Sequence, residues 1–203
     1  MIVRNEETYK SLYDKIQALI VIDVVEGTAM EALPYMETIV KSRPEFFEDI
    51  EAAIKYMYKS GTIKNADSAR LSVSSLVILN EETGQYEWRT NLLKSKEYWH
   101  EWFTGLTHSF LSIRLPKLLM LAGSDRMDKE LTIAHMQGKF KMCLINEVGH
   151  FMHEDNPHSA AMNIIDFVKM FRIPELFKEI KPIVGKLGGV SNKIVKYENY
   201  QYT

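Results

Sequence analysis

Three short apolar segments, each followed by a polar turn, limit the folds that are open to this chain. They are "ALIVIDVV" at residues 18–25, "KLLMLA" at 117–122 and "KFKMCLIN" at 139–146. Runs rich in Val, Ile, Leu and Met that are bounded by turn residues are typical of buried strands in a parallel sheet. The sequence therefore predicts an α/β protein with about three parallel strands and flanking helices.

Polar side chains lie at the tips of all three predicted strands. Asp23 interrupts the end of the first, Asp125 follows the second, and His150 follows the third in a Gly-His loop. Because functional residues of open α/β sheets collect at the carboxyl ends of the strands, we expect these residues to meet at one edge. Three strands are too few for a doubly wound sheet, so the chain predicts only part of one.

The long segment between the first two strands, residues 27–115, is predicted to be a mostly helical cap. Asp49 is a predicted N-cap of "IEAAIKYMYKS", which Gly61 ends, and Asn65 is a predicted N-cap of "ADSARLSVSSLVIL". The last strand is followed by a predicted helix, "HSAAMNIIDFVKMFR", and residues 190–203 are predicted to be an irregular tail.

Composition excludes several classes of protein. The formal net charge of −2 argues against a general nucleic-acid binder, which would carry a basic excess. No apolar run approaches the roughly 20 residues that cross a bilayer, and the polar start "MIVRNEETYK" does not predict a signal peptide. The single Cys143 excludes an internal disulfide and fits a reducing compartment, so we expect a cytoplasmic or nuclear protein.

His150 is the first candidate for a chemical role. A histidine after a strand can act as a general base when a carboxylate fixes its tautomer, and Asp23 and Asp125 are both placed to do this. A loop histidine without a catalytic role is an equally open interpretation. A metal site is a weaker alternative, because His150 and His153 lie three residues apart beside Glu154 and Asp155, but no further ligand cluster follows.

The nucleophile that such a base would serve is not visible. A nucleophile elbow has the form G-x-S-x-G, and none of the serines lies in that frame. The nearest approaches are "AGSDR" around Ser124 and "GGVSN" around Ser191. Cys143 lies within the third predicted strand and is expected to pack rather than to react.

Long strings of this sequence resemble the protein phosphatase methylesterase family. They are "VIDVVEGTAMEAL" at 21–33, "SRPEFF" at 42–47, "AIKYMYKSGTIKNADSARLSV" at 53–73, "YEWRTNLLKSKEYWHEWFTGLTHSFLS" at 86–112, "LPKLLMLAGSDRMDKELTIAHMQGKFKM" at 115–142 and "GHFMHEDNP" at 149–157. The resemblance covers about residues 16–172. It implies an α/β-hydrolase that removes the methyl ester from the C-terminal carboxylate of the type 2A serine/threonine phosphatase catalytic subunit, without a cofactor or metal.

The family's triad implies Asp23 as the acid and His150 as the base. Its serine lies in a "GHSMGG"-type elbow upstream of the aspartate and has no counterpart here. We therefore expect residues 1–203 to form a partial, C-terminal α/β-hydrolase domain that is truncated before the nucleophile and is inactive alone. The alternatives are a phosphatase-binding module without turnover and an α/β-hydrolase remnant with another ester substrate.

Three further assignments stay open in the sequence. Most α/β-hydrolases carry the acid where Asp125 stands, although the resemblance favours Asp23. The aspartate that is not the acid would pair with Arg126 or Lys129 or cap the helix "KELTIAHM". Residues 26–30 form either a wall of the active site or a helix start capped by Thr28. Finally, Tyr98, Trp99 and Trp102 either line a pocket for the substrate's C-terminal peptide or belong to the core.

Overall fold

The structure, a computed structural model, describes residues 16–123 and 126–173. Residues up to Arg172 belong to one compact unit, and Ile173 belongs to a second. The predicted irregular tail at 190–203 lies outside the described residues. No helix in the described part of the chain is long and apolar enough to cross a membrane.

The described part of the chain contains both strands and helices. The strands are β1 (Leu19–Ile22), β2 (Phe46–Phe47), β3 (Val77–Asn80), β4 (Gln85–Trp88), β5 (Lys117–Leu121) and β6 (Lys141–Leu144). The α-helices are α1 (Glu26–Lys41), α2 (Ile50–Lys59), α3 (Ala66–Leu76), α4 (Trp99–Phe103), α5 (Leu106–Ser112), α6 (Lys129–Met136), α7 (Met152–Asp155) and α8 (Pro157–Met170). A 3₁₀ helix occupies Leu92–Tyr98 and leads into α4.

The three predicted strands form one parallel sheet in the order β1-β5-β6. Leu19 aligns with Lys117, and Leu118 aligns with Lys141, so all three strands end at the same edge. Every residue of the central strand β5 is buried, which explains its continuous apolar sequence. Residues that follow β1, β5 and β6 are thereby brought to one place.

The core beneath this sheet is built from β5 and the helices that flank it. Leu119, Leu121, Leu131 and Phe140 are almost completely buried there, and Phe110 contacts Phe140 edge-on with ring centroids 5.2 Å apart. Each fully buried side chain of this size contributes about 1.5–3 kcal/mol to folding. This packing gives the strand ends a rigid base.

Lys117, at the start of β5, is buried although it is charged. Its Nζ donates hydrogen bonds to the carbonyl oxygens of Leu111, at 3.1 Å, and Ile113, at 2.6 Å. These carbonyls belong to the end of α5, where helix carbonyls lack internal partners, so the lysine satisfies them. Burial lowers the pKa of Lys117, and the charge of Lys139 lowers it further.

The predicted caps of the two helices in the 27–115 segment are present. The Asp49 side chain accepts a hydrogen bond from the Ala52 backbone N–H at 2.7 Å, and Asn65 accepts from Asp67 and Ser68. The predicted extent of the second helix is wrong. Helix α3 ends at Leu76, and the chain continues directly as strand β3.

The 27–115 segment also contains a small antiparallel sheet, which the sequence interpretation missed. Its strands have the order β2-β4-β3, and they do not join the parallel sheet. Phe47, Tyr56 and Trp88 form an aromatic cluster against it, with ring centroids 5.3–6.2 Å apart. Together with buried residues of α2 and α3, this cluster gives the segment a hydrophobic core of its own.

Candidate active site

Asp23 occupies the carboxyl end of β1 in a left-handed backbone conformation. Its φ angle is 52°, a region that costs an L-residue about 1–2 kcal/mol but that Asp tolerates better than most. Its backbone N–H still donates to the Met120 carbonyl at 2.8 Å, so the turn begins only after the ladder to β5 is complete. The side chain is fully buried and faces the ends of the neighbouring strands.

Three donors converge on the Asp23 carboxylate. Oδ1 accepts a hydrogen bond from the Ala122 backbone N–H at 2.9 Å. Oδ2 accepts from Arg126 Nη1 at 2.5 Å and contacts His150 Nδ1 at 2.9 Å. The donors follow β5 and β6, so the parallel topology assembles this group from residues that are about 100 or more positions apart in sequence.

These contacts keep Asp23 ionised. Burial is the largest single effect and raises its pKa, but the hydrogen bonds from His150 and Ala122 and the charge of Arg126 outweigh it, so the pKa lies below its usual value. An ionised carboxylate can only accept hydrogen bonds, so Nδ1 of His150 must carry the proton. In the neutral imidazole this leaves Nε2 as the basic nitrogen.

The His150 ring is held from one side and open on the other. Its side chain is 64% exposed, whereas the Asp23 side chain that it contacts is not exposed at all. Next to it, Phe151 packs against the hydrophobic core of the 27–115 segment. The loop before it contains Glu147 in a left-handed conformation, with a φ of 62°. A histidine placed in this way can take a proton from a group on its exposed side while its far nitrogen remains fixed.

The structure thus brings together two of the strand-tip residues, Asp23 and His150. The third, Asp125, lies outside the described residues. Arg126, which the sequence offered as a partner for the carboxylate that is not the acid, pairs with Asp23. The predicted helix "KELTIAHM" is capped by Asp128, whose Oδ1 accepts from the Leu131 backbone N–H at 2.8 Å.

The sequence resemblance is matched by curated relatives. A protein phosphatase methylesterase 1 of Gibberella zeae is 46% identical over 152 residues, which are 73% of this chain and 38% of the relative. The Yarrowia lipolytica protein of the same name is 43% identical over 83% of this chain and 40% of its own length. A probable protein phosphatase methylesterase 1 of Caenorhabditis elegans is 45% identical over 82% of this chain and 45% of its own length. This chain is homologous to the protein phosphatase methylesterases.

The homology covers only part of each relative, since the chain spans less than half of the length of these methylesterases. No protein-family model matches the chain. Among solved structures, E-2-(acetamidomethylene)succinate hydrolase superposes with a TM-score of 0.62 at 19% identity, over 82% of this chain and 63% of that one. An esterase of M. tuberculosis superposes with a TM-score of 0.57 at 17% identity, over 76% of this chain and 55% of that one. These neighbours confirm the predicted fold, part of an α/β-hydrolase.

Cys143, the cysteine of this chain, is not placed to act as an alternative nucleophile. Cys143 is buried in β6, and burial raises the pKa of its thiol, although the charge of Lys141 opposes this. It is therefore a protonated packing residue. Ser124 and Ser191, the nearest approaches to the elbow frame of the methylesterases, both lie outside the described residues.

The interpretation of Thr28 as a helix cap is wrong. Helix α1 begins at Glu26, two residues earlier, and Val25 occupies the N-cap position. The Glu26 carboxylate accepts hydrogen bonds from the backbone N–H groups of Gly105, at 2.8 Å, and Thr107, at 2.9 Å. It therefore ties the start of α1 to the start of α5. Residues 26–30 do form a helix start, and their role as a wall of the active site stays a prediction.

The three aromatic residues near α4 do not share one environment. Trp99 is buried, with its Nε1 donating to Ser95 Oγ at 3.0 Å, whereas Trp102 and Tyr98 are about half exposed. Trp99 lines an open cavity of about 480 Å³ together with Met30, Leu33 and His100. A role of this cavity in binding the substrate's peptide stays a prediction.

The histidine pair considered for a metal site is not gathered into one. His150 turns to Asp23, while the nearest carboxylate to His153 is Glu154, with Nε2 and Oε1 3.9 Å apart. Over residues 16–123 and 126–173, no group of three or more His, Cys, Asp or Glu side chains is arranged to hold a metal ion.

The sequence did not indicate the contact between Arg126 and Asp23, because the two residues lie 103 positions apart. A carboxylate with a folded-state pKa below its unfolded value stabilises the fold above that unfolded value, about 3.9, and this stability is lost as pH falls through the folded-state pKa. Arg126→Gln removes one of the charges that lower the pKa of Asp23. We expect that pKa to rise towards its unfolded value, so that Asp23 stabilises the fold less at neutral pH and the midpoint of acid unfolding moves to higher pH. The Asp23 carboxyl ¹³C titration and acid unfolding measure the two effects.

Arg70→Gln is the matched control. Arg70 pairs with Asp67 at 2.8 Å, but their side chains are 62% and 91% exposed, so solvent screens the pair. We expect Arg70→Gln to leave both the Asp23 ¹³C titration curve and the acid-unfolding curve unchanged. An Asp23 titration that is identical in the two variants would show that Arg126 does not act on this carboxylate in solution.

Proposed function

We propose that this chain contributes the base and the acid of a Ser-His-Asp carboxylic ester hydrolase. Its substrate is the methyl ester on the C-terminal carboxylate of the type 2A serine/threonine phosphatase catalytic subunit. The observation that carries the proposal is the 2.9 Å contact between His150 Nδ1 and the buried, ionised Asp23, in a chain homologous to the methylesterases. Unpaired Cys143 fits a reducing compartment, so we place this activity in the cytoplasm or nucleus.

The chemistry follows from the two nitrogens of His150. A serine hydroxyl attacks the ester carbonyl while Nε2 takes its proton, and Nε2 then returns that proton to the departing methoxide. Water hydrolyses the acyl-enzyme by the same exchange, which yields the free carboxylate and methanol. Asp23 holds the ring through Nδ1 and stabilises the imidazolium that forms in each step. The G-x-S-x-G frame does not occur in these 203 residues, so we place the nucleophile outside them.

In this proposal, residues 27–115 act as the cap of the active site. Two observations support this role. Phe151, next to the proposed base, packs against the core of the segment, and Ser68 Oγ donates to the Glu154 carbonyl at 2.7 Å. The segment therefore rests on the loop that follows β6, at the strand edge where Asp23 and His150 meet. Substrate bound beneath it would be shielded from water at the reacting ester.

A chimera tests the function. Residues 16–172 are joined to the upstream region of the Caenorhabditis elegans relative, which supplies the nucleophile segment. We expect this protein to demethylate methylated phosphatase catalytic subunit above the buffer rate. His150→Ala should abolish turnover, because no other described base contacts Asp23.

His153→Ala is the control, since His153 is 51% exposed and makes no contact with Asp23. It should retain activity. A folded chimera that hydrolyses a simple ester but leaves the methylated phosphatase intact would exclude the proposed substrate. This result would favour the alternative hypothesis, an α/β-hydrolase remnant that acts on another ester.

Binding without turnover is the second candidate, and the absence of an elbow serine from these 203 residues favours it. In this case the 203-residue chain alone would bind the phosphatase catalytic subunit. Calorimetry with methylated and unmethylated subunit measures this directly. Tight binding by the chain, together with an inactive folded chimera, would establish the binding module in place of the enzyme.

A further inference from the structure

We propose that Asp155 is a positioning residue for His150. Its carboxylate joins the backbone of the loop that carries His150 to the backbone of the 27–115 segment at Lys64. By fixing Gly149, it sets the place at which the imidazole meets Asp23. The importance of this bridge for catalysis rests on the function proposed above, but the bridge itself is a feature of the loop geometry.

Each oxygen of the Asp155 carboxylate takes one backbone donor. Oδ2 accepts from the Gly149 N–H and Oδ1 accepts from the Lys64 N–H, both at 2.6 Å. Hydrogen bonds to an ionised acceptor are short and about twice as strong as neutral ones. The two segments are thereby held at a fixed separation, although Lys64 and Asp155 lie 91 positions apart in the sequence.

The loop before His150 depends on this contact. Residues 145–149 lie in turns and irregular structure, and Glu147 has a left-handed backbone. The Asp155 carboxylate is the acceptor that the structure gives to the Gly149 N–H. Because Gly149 directly precedes His150, its displacement moves the ring. A shift of about 1 Å would stretch the 2.9 Å contact to Asp23 beyond hydrogen-bonding range.

The space around Gly149 fits the same account. A Cβ at this position would lie 3.2 Å from Asp155 Oδ2, 3.7 Å from the Gly61 carbonyl and 3.7 Å from Lys64 Cε. A side chain there would push the carboxylate away by a few tenths of an ångström. Glycine is therefore the residue that lets the bridge close.

Local helix stability does not explain the position of Asp155. It is the last residue of the four-residue helix α7, which is too short for a helix dipole to account for the position of this carboxylate. Other links between the two segments are weaker or neutral. Lys64 Nζ reaches the Glu147 carbonyl at 3.4 Å, and Ser68 Oγ reaches the Glu154 carbonyl. Among these groups, the Asp155 side chain is the one that accepts hydrogen bonds from both backbones.

The test reads the His150 ring directly in the 203-residue chain. ¹⁵N chemical shifts of the imidazole give the ratio of the Nδ1–H to the Nε2–H tautomer, which the Asp23 contact sets towards Nδ1–H. Asp155→Asn keeps the size of the side chain but places an NH₂ group against one N–H donor. We expect the ratio of the Nδ1–H to the Nε2–H tautomer to fall about tenfold, which is the effect of losing one hydrogen bond to a charged group.

Gly149→Ala disturbs the contact between the Gly149 N–H and Asp155 but leaves the Asp155 carboxylate in place. This variant therefore tests the proposal if Asp155→Asn does not fold. We expect the same direction of change. Asp67→Asn is the control, because it removes a 91% exposed carboxylate from the same segment. An unchanged ratio in every folded variant of Asp155 and Gly149, with a changed ratio in Asp23→Asn, would overturn the proposal.

The same variants in the chimera separate this proposal from the proposed function. A tautomer shift in Asp155→Asn, with no esterase activity in the parent chimera, upholds the positioning role and counts against the enzyme. An active chimera in which Asp155→Asn changes neither the ratio nor kcat upholds the enzyme and removes Asp155 from it. A lower kcat that tracks the tautomer ratio supports both.

Discussion

Asp23→Asn is expected to lower kcat by about 10⁴-fold in the chimera that joins this chain to a methylesterase nucleophile segment, by analogy with triad aspartates. The physical reason is the tautomer. An ionised Asp23 accepts a proton from Nδ1, whereas the NH₂ group of Asn favours an unprotonated Nδ1 and leaves Nε2 blocked by its own hydrogen. Arg126 and the Ala122 N–H also require an acceptor at this position, so Asn would leave one of them unpaired.

The comparison variant is Asp125→Asn in the same chimera. It tests the alternative acid that the sequence left open. We expect it to retain kcat within a few-fold, since the His150 contact is made by Asp23. If Asp125→Asn is the crippling change and Asp23→Asn is mild, the assignment of the acid is wrong. Circular dichroism of both variants checks that neither loss is a loss of folding.

The elements that the sequence predicted well are those with a local cause. The three apolar runs became the parallel strands because a fully buried strand needs a continuous apolar sequence, and Leu118–Leu121 have almost no exposed surface. Asp49 and Asn65 cap their helices because a short polar side chain can reach the free N–H groups of the first turn. Once parallel strands are assigned, the meeting of their tips follows from topology.

The small antiparallel sheet had no such signal at its start. Val77, Ile78 and Leu79 continue the apolar pattern of α3 without a Gly or Pro between them, so a longer helix was the natural interpretation. Tertiary contacts decide otherwise, because Trp88 on the paired strand β4 packs against Phe47 and Tyr56. The turn that joins β3 to β4 was visible as "NEETGQ", in which Gly84 has a φ of 71°.

The sequence also could not indicate which charged residues support the site. Asp155 binds Lys64 from 91 positions away, and Arg126 reaches Asp23 across two strand tips. Neither contact is indicated by a periodic pattern or a motif in the sequence, since both depend on how two loops approach each other in space. The packing of the 27–115 segment on the His150 loop defines the first contact, and the approach of the turns after β1 and β5 defines the second.

The 203-residue chain, expressed as printed, is expected to show no methylesterase turnover and no serine labelling by a fluorophosphonate probe. The G-x-S-x-G frame and a glycine-rich oxyanion loop are both absent from its sequence. Loss of one oxyanion donor alone typically costs about 10²–10³ in rate, and without a nucleophile no acyl-enzyme forms. Asp23 and His150 cannot compensate, because a base without a nucleophile can only activate water at an unshaped site.

The chimera serves as the positive control for this experiment, since its elbow serine should react with the probe and its turnover should be measurable in the same assay. The chain alone should match buffer in both. Among the described residues β1 is an edge strand of the parallel sheet, and edge strands favour pairing between chains, so light scattering should accompany the assay. Stoichiometric labelling of any serine in the chain, together with demethylation above buffer, would show that the nucleophile lies within these 203 residues after all.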